Sequence, residues 1–237
     1  MKAETASLDL LVHGEIRPLG LLAGATNYTF LVEVFDGEHS IQAVYKPRRG
    51  EQPLWDFPEG TLHLREVAAY RLADALGWPS IPATVLREGP AGPGAVQAFV
   101  DADPGEHFFS LRSHRLDQFR PVAAFDVVAN NADRKSGHCL LGRDGTIWSI
   151  DHGLCFGTHA PLRSVIWEFA GQALSPALVE DVKRVAGELR SGPLREEMSR
   201  LLTEEEVDAT AQRADSLAAD GVFPHPGAGR AHPWPLV

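Results

Sequence analysis

Two aspartates separated by a hairpin signal constrain this chain more than anything else in it. Asp133 sits in Phe125-Asp-Val-Val-Ala-Asn-Asn-Ala-Asp133-Arg134-Lys-Ser-Gly-His138, and Asp151 in Trp148-Ser-Ile-Asp151-His-Gly153. Between them Asp144-Gly145 is flanked by strand-forming residues, the pattern of a tight β-hairpin. A two-residue turn there pairs Cys139 with Ile150 and His138 with Asp151. Directly paired Cβ atoms lie about 5 Å apart, near enough to share one metal ion. Asp133 falls on the loop before the hairpin, free of the ladder. A loop acid beside a metal-binding pair suits phosphoryl transfer with a positioned base.

The rest of the chain divides by periodicity. Thr29–Phe35 and Ser40–Lys46 read as strands around Asp36-Gly37, and Pro47 ends the second because it cannot donate to a ladder. Thr61–Leu76 reads as a helix with an apolar side, stopped by Gly77 and Pro79. Two more strands are expected at Ala83–Arg87 and Ala95–Val100, with a turn-rich loop between them. Beyond Asp101-Ala-Asp-Pro-Gly105 the pattern turns helical: Asp117–Asn130, then the hairpin, then helices within Ser175–Arg190, Leu194–Leu202 and Glu204–Asp220. The fold class is therefore α+β. A strand-rich lobe spans 1–100, a mostly helical lobe 101–220, and a tail 221–237 of four prolines and three glycines is expected to be disordered, the alternative being a proline-anchored aromatic that folds back over the cleft.

Together these features resemble the protein-kinase-like superfamily, and within it the phosphatidylinositol 3- and 4-kinase-like group with its small actinobacterial relatives. That group has an Asp-Arg-x-x-x-Asn loop before a hairpin ending in Asp-Phe-Gly. The counterparts here are Asp133-Arg134-Lys-Ser-Gly-His138 and Asp151-His152-Gly153, and the order of elements agrees from about Leu19 to Asp220. The resemblance implies a two-lobed kinase-like fold that binds ATP with Mg2+ or Mn2+. It implies Asp133 as the base or orienting acid, Asp151 as the principal metal ligand, and His138 in the place of the second metal-binding Asn.

Further roles follow from position in that fold. Lys46, at the end of the second strand, stands where the superfamily keeps its phosphate-contacting lysine, and Glu66 on the following helix is its expected partner. Gly24 and Asn27, in Gly20-Leu-Leu-Ala-Gly24-Ala-Thr-Asn27, fall where a turn covers phosphates. Phe99 lies at the adenine hinge, where main-chain groups carry the contact. Asn131 is a candidate for ordering the catalytic loop. Each has a plain alternative: a surface lysine, an exposed helix carboxylate, a connecting turn, a core phenylalanine, a turn aspartate for Asp133, a strand-end acid for Asp151 and a hairpin histidine without a ligand for His138.

The departures matter as much. Mg2+ prefers oxygen, so His138 points to Mn2+, to a direct phosphate contact, or to one metal position left unbuilt. Lys135 replaces the histidine of the lipid kinases, and Leu154–Arg163 has no basic run for inositol phosphates. The leading expectation is transfer of a phosphoryl group to a protein or small-molecule acceptor. The alternatives are a nucleotide-binding pseudokinase without turnover, AMP transfer on the same fold, and a metal-dependent hydrolase using Asp133, His138, Asp151 and His152.

Composition narrows the partners. A net charge of −10 disfavours nonspecific binding to nucleic acid or anionic bilayers. No run approaches the roughly 20 apolar residues of a membrane span, and no signal-peptide pattern opens the chain. Two cysteines form no disulfide framework, so a cytoplasmic protein is expected.

Overall fold

The computed structural model describes residues 2–22, 27–159 and 161–237, and side chains from Leu8 onward. Helix α1 (Lys2–His13) precedes strands β1 (Glu15–Leu21), β2 (Phe30–Phe35) and β3 (Ser40–Pro47). Helix α2 (Leu62–Leu76) follows, then strands β4 (Thr84–Gly89) and β5 (Gly92–Ala98). The five strands form one antiparallel sheet in the order β1-β2-β3-β5-β4. Alternation along β2 and β3 turns Val32, Val34, Ala43 and Tyr45 inward, where they meet Leu10 and Leu11 of α1 and Val85 and Val96. Lys46 follows Tyr45 and so points to the opposite face.

Neither α1 nor β1 shows in the local periodicity of the sequence. Strand β1 is an exposed edge with Pro18 and a register shift before Gly20, features that blunt an edge and also erase its alternation. The stretch expected as a loop between β4 and β5 is instead a tight hairpin, with Glu88 paired to Pro93 and Gly89 to Gly92.

The second half contains α3 (Phe108–Arg115), α4 (Arg120–Ala129), the hairpin β6 (Cys139–Leu141) and β7 (Ile147–Ser149), then α5 (Pro176–Ser191), α6 (Pro193–Met198) and α7 (Glu204–Asp220). The helix expected over Asp117–Asn130 starts later, because Leu116–Phe119 forms a 3-10 turn before Pro121 enters the first turn of α4. The larger core joins Phe125 and Val128 of α4, Val182 and Val185 of α5 and Ala214 of α7 with Ala69, Leu72 and Leu76 of α2. Helix α2 is thus packed against the helical half.

Arg65 fixes that docking. It is buried on α2, donates to the Cys155 carbonyl at 2.7 Å, pairs with Glu206 of α7, and lies 4.9 Å over the Phe57 ring. The N-terminus of α2 is capped from a distance: Glu51 accepts from the N–H groups of Leu62 (3.1 Å) and His63 (2.8 Å), which would otherwise lack partners.

The tail is ordered, contrary to the disorder that its composition favours. Phe223 is buried against Phe169, and main-chain bonds join Ser164 to Ala231 (3.0 Å) and Ser136 to Leu236 (2.8 Å). Among the described residues no helix is long and apolar enough to cross a membrane.

Candidate active site

Three segments far apart in sequence meet at Lys46. Its ammonium pairs with Glu66 of α2 and stands 2.9 Å from Asp151 Oδ1. Glu66 is buried and holds more than the lysine: its Oε2 accepts from the His152 N–H and its Oε1 from the Gly153 N–H, each at 3.1 Å. One carboxylate therefore ties β3 to the turn that carries Asp151. Burial opposes the charge on Lys46, but Asp151 and Glu66 outweigh it and hold the ammonium above its ordinary range. Lys46 in turn holds Asp151 well below the usual carboxylate range, whereas burial raises Glu66.

The β6–β7 hairpin is one residue out of the expected register. Cys139 pairs with Ser149 rather than Ile150, and Gly142 N–H closes the turn onto the Thr146 carbonyl at 2.9 Å. Asp144 explains the longer turn: its carboxylate accepts from the Thr146 N–H (3.0 Å) and hydroxyl (2.9 Å), and Gly145 supplies φ +84°. A one-residue slip should send His138 and Asp151 to different positions. They meet nonetheless, with His138 Nε2 3.2 Å from Asp151 Oδ2. Asp151 leaves the ladder at φ +60°, a left-handed conformation disfavoured for a side chain with a Cβ. That bend carries the carboxylate back across the hairpin.

The pair suits a divalent cation. Burial pushes His138 down to about 4, despite the opposing pull of Asp151, so the neutral imidazole presents a lone pair. Asp151, with half its side chain exposed, adds a carboxylate. One nitrogen and one carboxylate, with substrate oxygens completing the shell, fit Mn2+ better than Mg2+. Among the described residues no group of three or more His, Cys, Asp or Glu converges to hold a metal. The four-residue hydrolase constellation does not assemble, because the His152 ring is buried and bonded to Arg134 and Ser149.

Asp133 stands on a loop built around a buried arginine. Arg134 is fully buried and forks onto Asp126 of α4 at 2.9–3.1 Å, while also donating to the carbonyls of His138 (3.3 Å) and Ile150 (3.2 Å). Asn131 completes the loop: its amide donates to Asp126 at 3.0 Å and its oxygen accepts from the Asp133 N–H at 2.9 Å. The Asp133 carboxylate lies 3.1 Å from the Lys135 ammonium. Burial raises its pKa, and Lys135 counters part of that rise.

Of the other expected residues, Asn27 accepts from the Gln52 N–H at 2.8 Å, linking the segment before β2 to the loop after β3. Phe99 is partly exposed, and its main-chain N–H is taken by the Gln42 carbonyl at 3.0 Å, so that donor is not free for an adenine edge. Gly24 lies outside the described residues. The sequence reading missed Asp126 and the linking role of Arg65. The signal for Asp126 was a lone acid inside the apolar run Val122–Ala129, which only a buried partner makes tolerable.

Comparison with known proteins places the fold. No family model matches the chain. The chain is 37% identical over 262 aligned positions to Protein Rv2133c of Mycobacterium tuberculosis, covering 95% of this chain and 94% of that protein. It is 30% identical over 132 positions to phosphatidylinositol 4-kinase gamma 4 of Oryza sativa subsp. japonica, covering 48% of this chain and only 23% of the plant protein. Among solved structures it resembles the Golgi casein kinase with Mn/ADP bound, with TM-score 0.60, 16% identity, and coverage of 92% and 75% of the two chains. It also resembles the Helicobacter pylori proinflammatory kinase CtkA, with TM-score 0.54, 12% identity, and coverage of 90% and 94%. The fold is that of a protein-kinase-like α+β protein.

Proposed function

The chain belongs to the family of Protein Rv2133c, and we propose that it is an ATP-dependent phosphotransferase of the phosphatidylinositol 3- and 4-kinase-like group. The observation that carries this reading is the junction at Lys46, where Glu66 and Asp151 converge on one ammonium from opposite halves of the chain. Such an arrangement has a cation, a buried orienting carboxylate and a metal-binding carboxylate within one hydrogen-bonded unit.

In this reading residues 1–100 hold the nucleotide, 101–220 the chemistry, and the tail 221–237 braces the second part. Lys46 binds phosphate oxygens of ATP, and Glu66 keeps its ammonium aimed. Asp151 and His138 hold the divalent cation, which when bound neutralises charge on the transferring phosphoryl group. Asp133, fixed by Asn131, accepts the proton of an acceptor hydroxyl. As the acceptor oxygen bonds to the γ-phosphorus, the bond from that phosphorus to the bridging oxygen breaks and ADP departs. The acceptor is a protein or small-molecule hydroxyl in the cytoplasm. Lys135 and the absence of a basic run after Gly153 give no support to a phosphoinositide.

The test is ³¹P NMR of ATP with Mg2+ at stoichiometric protein, repeated with Asp133→Asn and Asp151→Asn. Formation of ADP that either variant abolishes supports the reading. AMP with pyrophosphate would move it to nucleotidyl transfer. Perturbed resonances without any turnover in the presence of acceptors would indicate a regulatory nucleotide-binding module.

A further inference from the structure

Arg163 is the cation that the machinery above does not use. Its main chain is pinned against the catalytic loop: its N–H donates to the Asn131 carbonyl at 2.9 Å, and its carbonyl accepts from the Arg134 N–H at 3.0 Å. The residue therefore lies across from Asp133, and its charge favours the ionised form of that carboxyl. The side chain is half-buried. Three buried side-chain polar atoms lack a hydrogen-bond partner among the described residues: His152 Nδ1, Glu168 Oε2 and Arg163 Nε. The first two belong to side chains with partners elsewhere, Arg134 for the histidine and Arg112 for the glutamate. The Arg163 guanidinium has no ion-pair or hydrogen-bond partner among the described residues.

The Nε–H is closed off from solvent, but the side chain is only half-buried, and the terminal N–H groups of an arginine fork match a planar or tetrahedral oxyanion. The charges acting on the Asp133 carboxyl are Lys135, Asp151 and Arg163. Lys135 is engaged with Asp133, whereas the Arg163 side chain makes no ion pair among the described residues. In a chain of net charge −10, an anion is attracted only where such a local focus exists.

We propose that Arg163 forms an oxyanion subsite beside Asp133, and that the acceptor is a hydroxyl compound carrying a phosphate or carboxylate group. The oxyanion seats on the guanidinium, and its neighbouring hydroxyl is presented to Asp133. This substrate class rests on the phosphotransferase reading, whereas the anion site itself does not.

Inorganic phosphate is the first probe, titrated calorimetrically into the nucleotide-free protein. Saturable binding is expected, weakened about tenfold or more by Arg163→Gln, as loss of a charge-assisted contact predicts. Arg163→Lys, which keeps the charge without the fork, should lie between the two and guards against a merely misfolded variant. Binding that is absent, or unchanged in Arg163→Gln because phosphate sits at Lys46 or elsewhere, overturns the proposal. The second measurement compares ATP turnover with glycerol 3-phosphate, with vesicles of phosphatidylglycerol, and with glycerol. A lower KM for either anionic acceptor than for glycerol, lost in Arg163→Gln, assigns the subsite to a soluble or a headgroup phosphate. Equal KM values overturn the substrate class. Arg163-dependent phosphate binding with no turnover in any arm would leave the subsite standing and remove the phosphotransferase reading.

Discussion

Arg134 Nη2 lies 2.9 Å from His152 Nε2, and this contact fixes the tautomer of the ring. Arginine only donates, so Nε2 is the acceptor, and it accepts from the Ser149 hydroxyl as well at 3.1 Å. The ring proton is therefore on Nδ1, which has no partner among the described residues. The ring meets Phe125 edge-on, centroids 5.4 Å apart. His152 thus packs its ring against α4 and ties the turn that carries Asp151 to the loop that carries Asp133 through its lone pair.

A pH dependence follows. Burial, reinforced by Arg134, holds His152 well below 6.5 in the folded protein, while the unfolded chain titrates near the ordinary value. Below about pH 6.5 the unfolded state binds the extra proton, so stability falls as pH drops and is fully present above that value. Urea denaturation in EDTA should show the native chain losing more stability than His152→Phe between pH 6 and 5. The excess approaches about 1.4 kcal/mol per pH unit. Parallel profiles would mean that the imidazole is not held neutral.

Arg134 is a structural centre rather than a reacting group. Arg134→Met leaves Asp126 buried and short of its main partner, a change that costs about 3–5 kcal/mol in such pairs. Equilibrium unfolding measures it directly. A loss below about 1 kcal/mol, typical of an exposed pair, would contradict the buried geometry.

How much of this was legible depended on the range of the interaction. Strands β2 and β3 and helix α2 announce themselves through local alternation, turn residues and the Gly77 stop. Lys46 and Glu66 could be placed because the order of elements resembles a known family, but nothing local shows that Glu66 also receives the N–H groups of His152 and Gly153. The hairpin was recognised and its register misjudged, because the side chain of Asp144 selects a longer turn than the Asp-Gly pair alone suggests. Arg65 and Asp126 were passed over for one reason: a buried charge is explained only by its partner. Glu206 is far from Arg65 in sequence, and Arg134 sits on a loop held by bonds to Arg163 and Leu236 that no local pattern specifies. The tail read as disordered because proline and glycine hide its one buried aromatic side chain, Phe223.

Metal preference is the point at which the proposed site departs from the Asp-Arg-x-x-x-Asn motif that it resembles. His138 offers an imidazole nitrogen 3.2 Å from Asp151 where the kinase-like motif offers an amide oxygen. Replacing the nitrogen ligand with oxygen favours the harder cation. His138→Asn should therefore lower the ratio of Mn2+-supported to Mg2+-supported turnover, by about tenfold if one ligand contributes about 1.4 kcal/mol of discrimination. Metal titrations of turnover for both proteins provide the ratio. An unchanged ratio would show that His138 does not contact the cation.

The tail makes the last prediction. Phe223 exchanges main-chain bonds with Gly171 and Gln172, each at 2.9 Å, and only 3% of it is exposed. From there the chain runs to Ala231, whose carbonyl accepts from Ser164 N–H (3.0 Å) and the Trp167 indole (3.1 Å), and on to Leu236, which accepts from Ser136 N–H at 2.8 Å. Ser164 adjoins Arg163, and Ser136 lies three residues after Asp133, so one strap braces both walls of the proposed acceptor site. Removing the buried ring should cost about 3–5 kcal/mol as a core Phe→Ala change. It should also release the strap locally, since segments held by few contacts open first. Hydrogen exchange of Phe223→Ala at Ser136 and Ser164 should therefore accelerate beyond the global loss of stability, while amides in the middle of α5 follow the global change alone. Exchange within seconds at both serines in the unmodified protein would show that the strap is not bound, and that composition had been the better guide.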